Sequence, residues 1–218
     1  GLKAHTVLDR KFSRAPHIVA GAAARPVLDR DKLRADKVVC FGAATGGPQA
    51  LEYVFGQIKP KNNTAYLIVQ HMPEAFINAF AKRLNQGSQL TISGVKRGGP
   101  ILADHVYLAP GDKHMVVHEG CLALSDPEEG DDVVPSINKL FTSVAAEYGD
   151  QSIGVILTGA GQDGAVGAKA ISEAGGFCLA ESDKTAVFSE MPAAAETLGG
   201  IHETLGLNEL VRCLKEHL

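Results

Sequence analysis

The chain has no basic run longer than a Lys-Arg pair, and its formal net charge is −4 over 218 residues. That balance argues against nucleic acid as the main partner. No apolar stretch approaches the roughly 18 residues needed to span a bilayer, so membrane insertion is not expected. There is no CxxC pair. The four cysteines (Cys40, Cys121, Cys178 and Cys213) are widely separated and three lie in apolar runs. Such spacing fits reduced, buried thiols in a cytoplasmic protein rather than a disulfide framework. Among the eight histidines only His114 and His118 have paired spacing, so no metal site is expected. The first residue is Gly1 with no charged-then-apolar leader after it, the pattern of a fragment or a processed form. The remaining composition, 45% hydrophobic and 21% charged, suffices for one sizeable core, with or without a tail.

Residues 1–36 are arginine-rich and show no sustained period of 2 or 3.6, the character of a poorly ordered linker or arm. For Pro26 to Asp36 a single short helix is an equal alternative. From Lys37 the pattern turns regular. Strand-length apolar runs recur at VVCFG (38–42), AYLIVQ (65–70), LTISGV (90–95), HVYLAP (105–110), GVILTG (154–159) and GFCLAE (176–181). Helical stripes lie between most of them: Leu51, Val54, Phe55, Ile58 after Pro48; Phe76, Phe80, Leu84 between Pro73 and Gly87. Ile137, Leu140, Phe141, Val144, Tyr148 stop at Gly149, and Val166, Ala170, Ile171, Ala174 stop at Gly175. Leu207, Leu210, Val211, Leu214 and Leu218 make the last stripe. MVVHEGCLAL (115–124) reads as a hairpin turning at Glu119-Gly120. Continuous apolar strands alternating with amphipathic helices predict one α/β domain over residues 37–218: a doubly wound, mostly parallel sheet flanked by helices, with a small antiparallel hairpin.

Ligands of such sheets bind beyond the carboxyl ends of the strands. Three strand ends deliver Ala44-Thr45, His71, and Ala160-Gly161-Gln162-Asp163 to one edge. A carboxylate that fixes the tautomer of a histidine, which then serves a nucleophile as general base, is a recurring device. Gly42-x-Ala44-x-Gly46 has the spacing of the G-x-S-x-G elbow, with alanine in the serine position. Taken singly, His71 could be structural, Asp163 could cap the helix that follows it, and the glycines could serve close packing. Gly42 to Gly47 also has the Gly-x4-Gly spacing of a P-loop, but Pro48-Gln49 stands where Lys and Ser or Thr are required. No nucleotide, and no other cofactor, is expected.

The segments GAATGGPQAL (42–51), IVQHMPEAF (68–76), FAKRLN (80–85), HVYLAPGDKHM (105–115) and GVILTGAGQDGAVG (154–167) closely resemble the catalytic domain of the protein-glutamate methylesterase of bacterial chemotaxis. The likeness runs from about Val38 to Leu218. It implies hydrolysis of glutamate methyl esters, and deamidation of glutamines, on methyl-accepting chemotaxis receptors in the cytoplasm. It also implies a receiver domain and linker ahead of the catalytic domain. No receiver is present in this sequence, and residues 1–36 resemble the linker in place and character. Carried over residue by residue, the general base falls on His71 and its orienting aspartate on Asp163. Ala160 and Gly161 lie where backbone serves the oxyanion, with Thr45 beside the nucleophile. The nucleophilic serine falls on Ala44. A chain so built is expected to be nearly inert toward methyl esters, whether through an engineered Ser-to-Ala change or natural loss to a binding or regulatory module. A shift of the chemistry to Thr45 is disfavoured, since one residue along a tight elbow re-aims the side chain. Two more departures stand out. DPEEGDDVVPS (126–136) is acidic where the family is basic, and Glu190-Met191-Pro192 replaces Gly-Met-Pro.

Overall fold

The computed structural model describes residues 34–218, so the expectations for residues 1–33 lie outside it. The first described residues already touch the domain. Arg34 bridges Leu102 in antiparallel fashion, and the Ala35 N–H donates to the Ile101 carbonyl at 3.0 Å.

The chain forms β1 (Lys37–Ala43), α1 (Gly47–Phe55), β2 (Thr64–Gln70), α2 (Glu74–Gly87), β3 (Thr91–Gly94), β4 (Gly99–Pro100) and β5 (His105–Leu108). There follow β6 (His114–His118), β7 (Cys121–Ser125), α3 (Ile137–Tyr148), β8 (Ser152–Ile156), α4 (Ala165–Glu173), β9 (Phe177–Glu181), α5 (Glu190–Thr197), β10 (Glu203–Leu205) and α6 (Leu207–His217). Seven strands make one sheet in the order β10-β9-β8-β1-β2-β5-β3. Every pair in it is parallel. The order grows from β1 first through β2 and later, on the other side, through β8. The crevice at the carboxyl end of β1 is therefore the switch point where such sheets hold their ligands.

Strand alternation divides the interior into two layers. Val38 and Cys40 of β1 face α3, α4 and α5, where Leu140, Phe141, Val144, Ile171 and Met191 are buried. Val39 and Phe41 face the opposite way, onto Leu51, Val54, Phe80, Leu84, Leu210 and Leu214 from α1, α2 and α6. With helices on both sides, a strand residue has no polar face to offer, which explains the unbroken apolar runs. The expected doubly wound sheet is what the chain builds. The hairpin is there too, extended to three antiparallel strands by β4.

Two helical stripes are placed differently. On α2 the buried side is Ile77, Phe80, Ala81 and Leu84, and Phe76 is exposed. On α4 it is Ala165, Ala168 and Ile171, and Val166 is exposed. On α4 the residue after Val166 that faces the core is Gly167, where a Cβ would lie 2.5 Å from Phe141, whereas on α2 it is Ile77 that takes the inward place. Helix α5 and strand β10 carried no readable pattern. The first is an alanine-rich helix with Pro192 in its first turn, where a missing N–H costs little; the second is three residues long. Among the described residues, no helix is long and apolar enough to cross a membrane.

Candidate active site

The turn after β1 is held on every side. The Ala44 N–H donates to the Thr158 carbonyl at 3.0 Å, and the Ala44 carbonyl accepts from the Gly47 N–H at 2.9 Å. Gly46 adopts φ 85° to start α1, and a Cβ there would lie 2.8 Å from the Val187 side chain. Gly159, in the loop after β8, passes so close that its Cβ would stand 2.8 Å from the methyl of Ala44. The loops after β1 and β8 thus meet at Ala44. Thr158 fastens them further: its hydroxyl donates to the Thr45 carbonyl at 2.9 Å and accepts from the Phe188 N–H at 2.9 Å. Its own N–H is held at 2.9 Å by the buried carboxylate of Glu181.

His71 follows β2 directly, and its N–H donates to the Ala43 carbonyl at 2.9 Å. Its Nε2 lies 3.0 Å from Asp163 Oδ2, with the ring side chain 20% and the carboxylate 9% exposed. Asp163 also accepts from the N–H groups of Ile137 (2.6 Å) and Asn138 (2.9 Å) and from the Ser136 hydroxyl (3.2 Å). Burial by itself would raise the Asp163 pKa. The hydrogen bonds from the His71 ring and from the Asn138 and Ile137 N–H groups outweigh it and hold the group below its ordinary value. The carboxylate is therefore charged and accepts from an Nε2–H, which leaves Nδ1 of His71 as the ring's basic nitrogen.

Asp163 does cap a helix, though not the one that follows it. It caps α3, while Asn138 of α3 accepts from the Gly164 and Gly167 N–H groups at 2.9 Å each and so caps α4. The two helix N-termini exchange caps, and their positive ends favour the Asp163 charge.

Thr45, Ala160 and Gly161, on the loops after β1 and β8, are exposed. Among the described residues, the Thr45 and Ala160 N–H groups have no acceptor. The Gly161 N–H does: Glu190 Oε2 takes it at 2.8 Å. A cleft of about 1080 Å³ opens on the Asp163 side, lined by Asp131, Asp132, Lys139, Glu190 and Leu198 among others. The acidic segment is partly satisfied by α3 and β6 beside it. Asp131 binds Lys139, the Glu128 N–H and the buried His114, and those bonds, the Lys139 one foremost, hold it below the usual carboxylate range. His114 is thus engaged by Asp131 and by the Ser136 N–H at 3.1 Å.

Sequence reasoning did not single out Gln70, Asn138, Thr158 or Glu181. A polar residue closing the otherwise apolar run AYLIVQ was a usable signal for Gln70. The others become visible only when separate loops are brought together.

The description "CheB methylesterase" belongs to the family model that matches residues 39–214. A protein-glutamate methylesterase/protein-glutamine glutaminase 2 of Anaeromyxobacter dehalogenans is 39% identical over 180 residues, 83% of this chain and 53% of that protein. A protein-glutamate methylesterase/protein-glutamine glutaminase of Escherichia coli O157:H7 is 38% identical over 182 residues, 82% of this chain and 52% of that protein. The chain spans about half the length of these relatives. The crystal structure of the Thermotoga maritima CheB methylesterase catalytic domain superposes with TM-score 0.78 at 31% identity, covering 84% of this chain and 98% of that one. On its sequence, its seven-stranded parallel sheet and these likenesses, the chain belongs to the CheB methylesterase family.

Proposed function

We propose that this chain is a methylesterase domain for glutamate methyl esters on chemotaxis receptors, with Ala44 in the place of its nucleophilic serine. The reading rests above all on the His71–Asp163 pair at 3.0 Å, set at the sheet's switch point beside the Ala44 turn. A serine hydroxyl at position 44 would give its proton to His71 Nδ1 and attack the ester carbonyl. The Thr45 and Ala160 N–H groups would receive the negative oxygen. Methanol would leave with the proton from His71, and water would release the glutamate from the acyl-enzyme by the same route; a glutamine substrate would release ammonia. With a methyl group in that place the relay has nothing to activate. Loss of such a nucleophile costs on the order of 10⁶ in kcat, and the remaining donors and binding contacts sustain roughly 10³–10⁴ over water. The chain therefore binds its substrate class and scarcely turns it over.

Restoring the hydroxyl tests the reading. Ala44→Ser should raise methanol release from methylated receptor by at least about 10³-fold, and His71→Ala in that background should remove the gain. A revertant as inert as the parent would refute it. The second reading, a silent binding or regulatory module, draws on Glu190, whose carboxylate holds the Gly161 N–H and adds negative charge beside the site. It predicts that Ala44→Ser stays inert while the unchanged chain binds receptor measurably. A receiver domain as partner, and action in the cytoplasm, follow from the first reading.

A further inference from the structure

We infer that Gln70 is the positioning residue that sets the Ala44 turn against His71. The inference deepens the reading above and takes its catalytic meaning from it. Gln70 ends β2 and is 1% exposed. Its Nε2 donates to the Ala44 carbonyl at 2.8 Å and to the His71 carbonyl at 3.1 Å, so both amide protons are used. One side chain thereby ties the tip of the turn to the residue that carries the base. The main chain makes a parallel tie, His71 N–H to Ala43 carbonyl at 2.9 Å.

The bond to Ala44 has a consequence at the next atom. A peptide unit is planar, with its C=O and the following N–H pointing opposite ways. Holding the Ala44 carbonyl on the inner side aims the Thr45 N–H outward, and among the described residues that N–H has no acceptor. Gln70 thus orients an oxyanion donor and sets the base's main chain in one move.

The other end of the amide shows that packing is not the reason for its presence. Oε1 is buried with no hydrogen-bond partner among the described residues, and a Cβ on Gly47 would come within 2.1 Å of it. An unpaired buried amide oxygen is unfavourable, and an apolar side chain of equal length would avoid it. What glutamine alone supplies is the pair of directed donors.

Gln70→Met keeps the volume and removes both donors. In the Ala44→Ser background it should lower kcat for methanol release by at least about tenfold, since misplacement by about 1 Å costs on the order of a hundredfold. KM should stay within about twofold and Tm within about 3 °C. A side chain that only fills space predicts the reverse: kcat per folded molecule unchanged, whatever happens to Tm. That result overturns the inference. Gln70→Asn, too short to reach both carbonyls, should show the same loss and serves if the methionine variant folds poorly. An inert Ala44→Ser protein would sink the functional reading and leave the inference to amide exchange in the parent chain. There Gln70→Met should speed exchange of the Gly47 and His71 amides at least about tenfold relative to Leu140. Unchanged exchange at those amides overturns it.

Discussion

Asp163 collects four hydrogen bonds on one carboxylate, and a lowered pKa follows. A group with a lowered folded pKa stabilises the fold fully above its unfolded pKa, ordinarily 3.8, and loses that contribution as pH falls through the lower folded value. Stability should therefore be flat with respect to this group above pH of about 5 and decline below about 4. In Asp163→Asn that acid decline, measured as the urea midpoint against pH, should be shallower than in the parent. Asp163→Ala leaves the first two N–H groups of α3, those of Ile137 and Asn138, unpaired, while the Ser136 hydroxyl still accepts from the Lys139 N–H. It should cost about 2–4 kcal/mol at neutral pH, read by urea denaturation. If it cost under about 0.5 kcal/mol, the cap would be ornamental. The sequence offered two uses for this residue, orienting His71 or capping a helix. The structure places its carboxylate 3.0 Å from the His71 ring and on the first N–H groups of α3, not on the helix that follows it.

At the scale of elements, what could be read ahead was what repeats locally. Strand and helix runs show in the period of apolar residues, and the hairpin shows in Glu119-Gly120. Both residues take positive φ there, 50° and 66°, the type I′ geometry that matches strand twist. Glu147 of α3 accepts both of their N–H groups at 3.1 Å. Glutamate is a poor choice at such a φ, and Asn-Gly is the favoured pair. Glu119→Asn should therefore raise stability by about 0.5–1 kcal/mol, measured by urea midpoint, since the bonds to Glu147 use backbone N–H and survive the change. The turn at Gly46 is the opposite case. Gly46→Ala would force φ 85° on a residue with a Cβ and drive that atom to 2.9 Å from Thr158 Oγ1. A loss of about 1–3 kcal/mol is expected from the strain. What stayed illegible were the exchanged caps of α3 and α4 and the brace from Glu181 through Thr158 to Thr45. These join residues from three or more loops, and no period along the chain records them. Phe76 and Val166 were misplaced for a related reason: a stripe gives the spacing of buried residues, while the neighbouring helix or strand decides its phase.

At the scale of the molecule, the switch point at β1 makes the site depend on both halves of the sheet. His71 arrives from the β2 side, Asp163 from the β8 side, and Ala44 from between them. Such a site keeps its geometry only if the layers on either side open together rather than separately. The thiols can report on this. Cys40 of β1 and Cys178 of β9 lie in the layer under α3, α4 and α5, both fully buried. Burial pushes the Cys40 thiol well above its ordinary value and Cys178 up to about 12, and Cys178 Sγ donates to the Ala168 carbonyl at 3.3 Å. Neither can react while the layer is closed, because the thiolate is the nucleophile and neither water nor reagent reaches it. Cys121 and Cys213 are only partly buried. In dilute urea, alkylation of Cys40 and Cys178 should therefore share one rate whose urea dependence equals that of global unfolding, with Cys121 and Cys213 labelled ahead of them. Should Cys178 be labelled with a smaller urea dependence than Cys40, the β9 side would open independently of β1. Asp163 would then part from His71 in a fraction of folded molecules, and the loss of activity in any Ala44→Ser protein under mild urea should follow the Cys178 rate rather than the Cys40 rate.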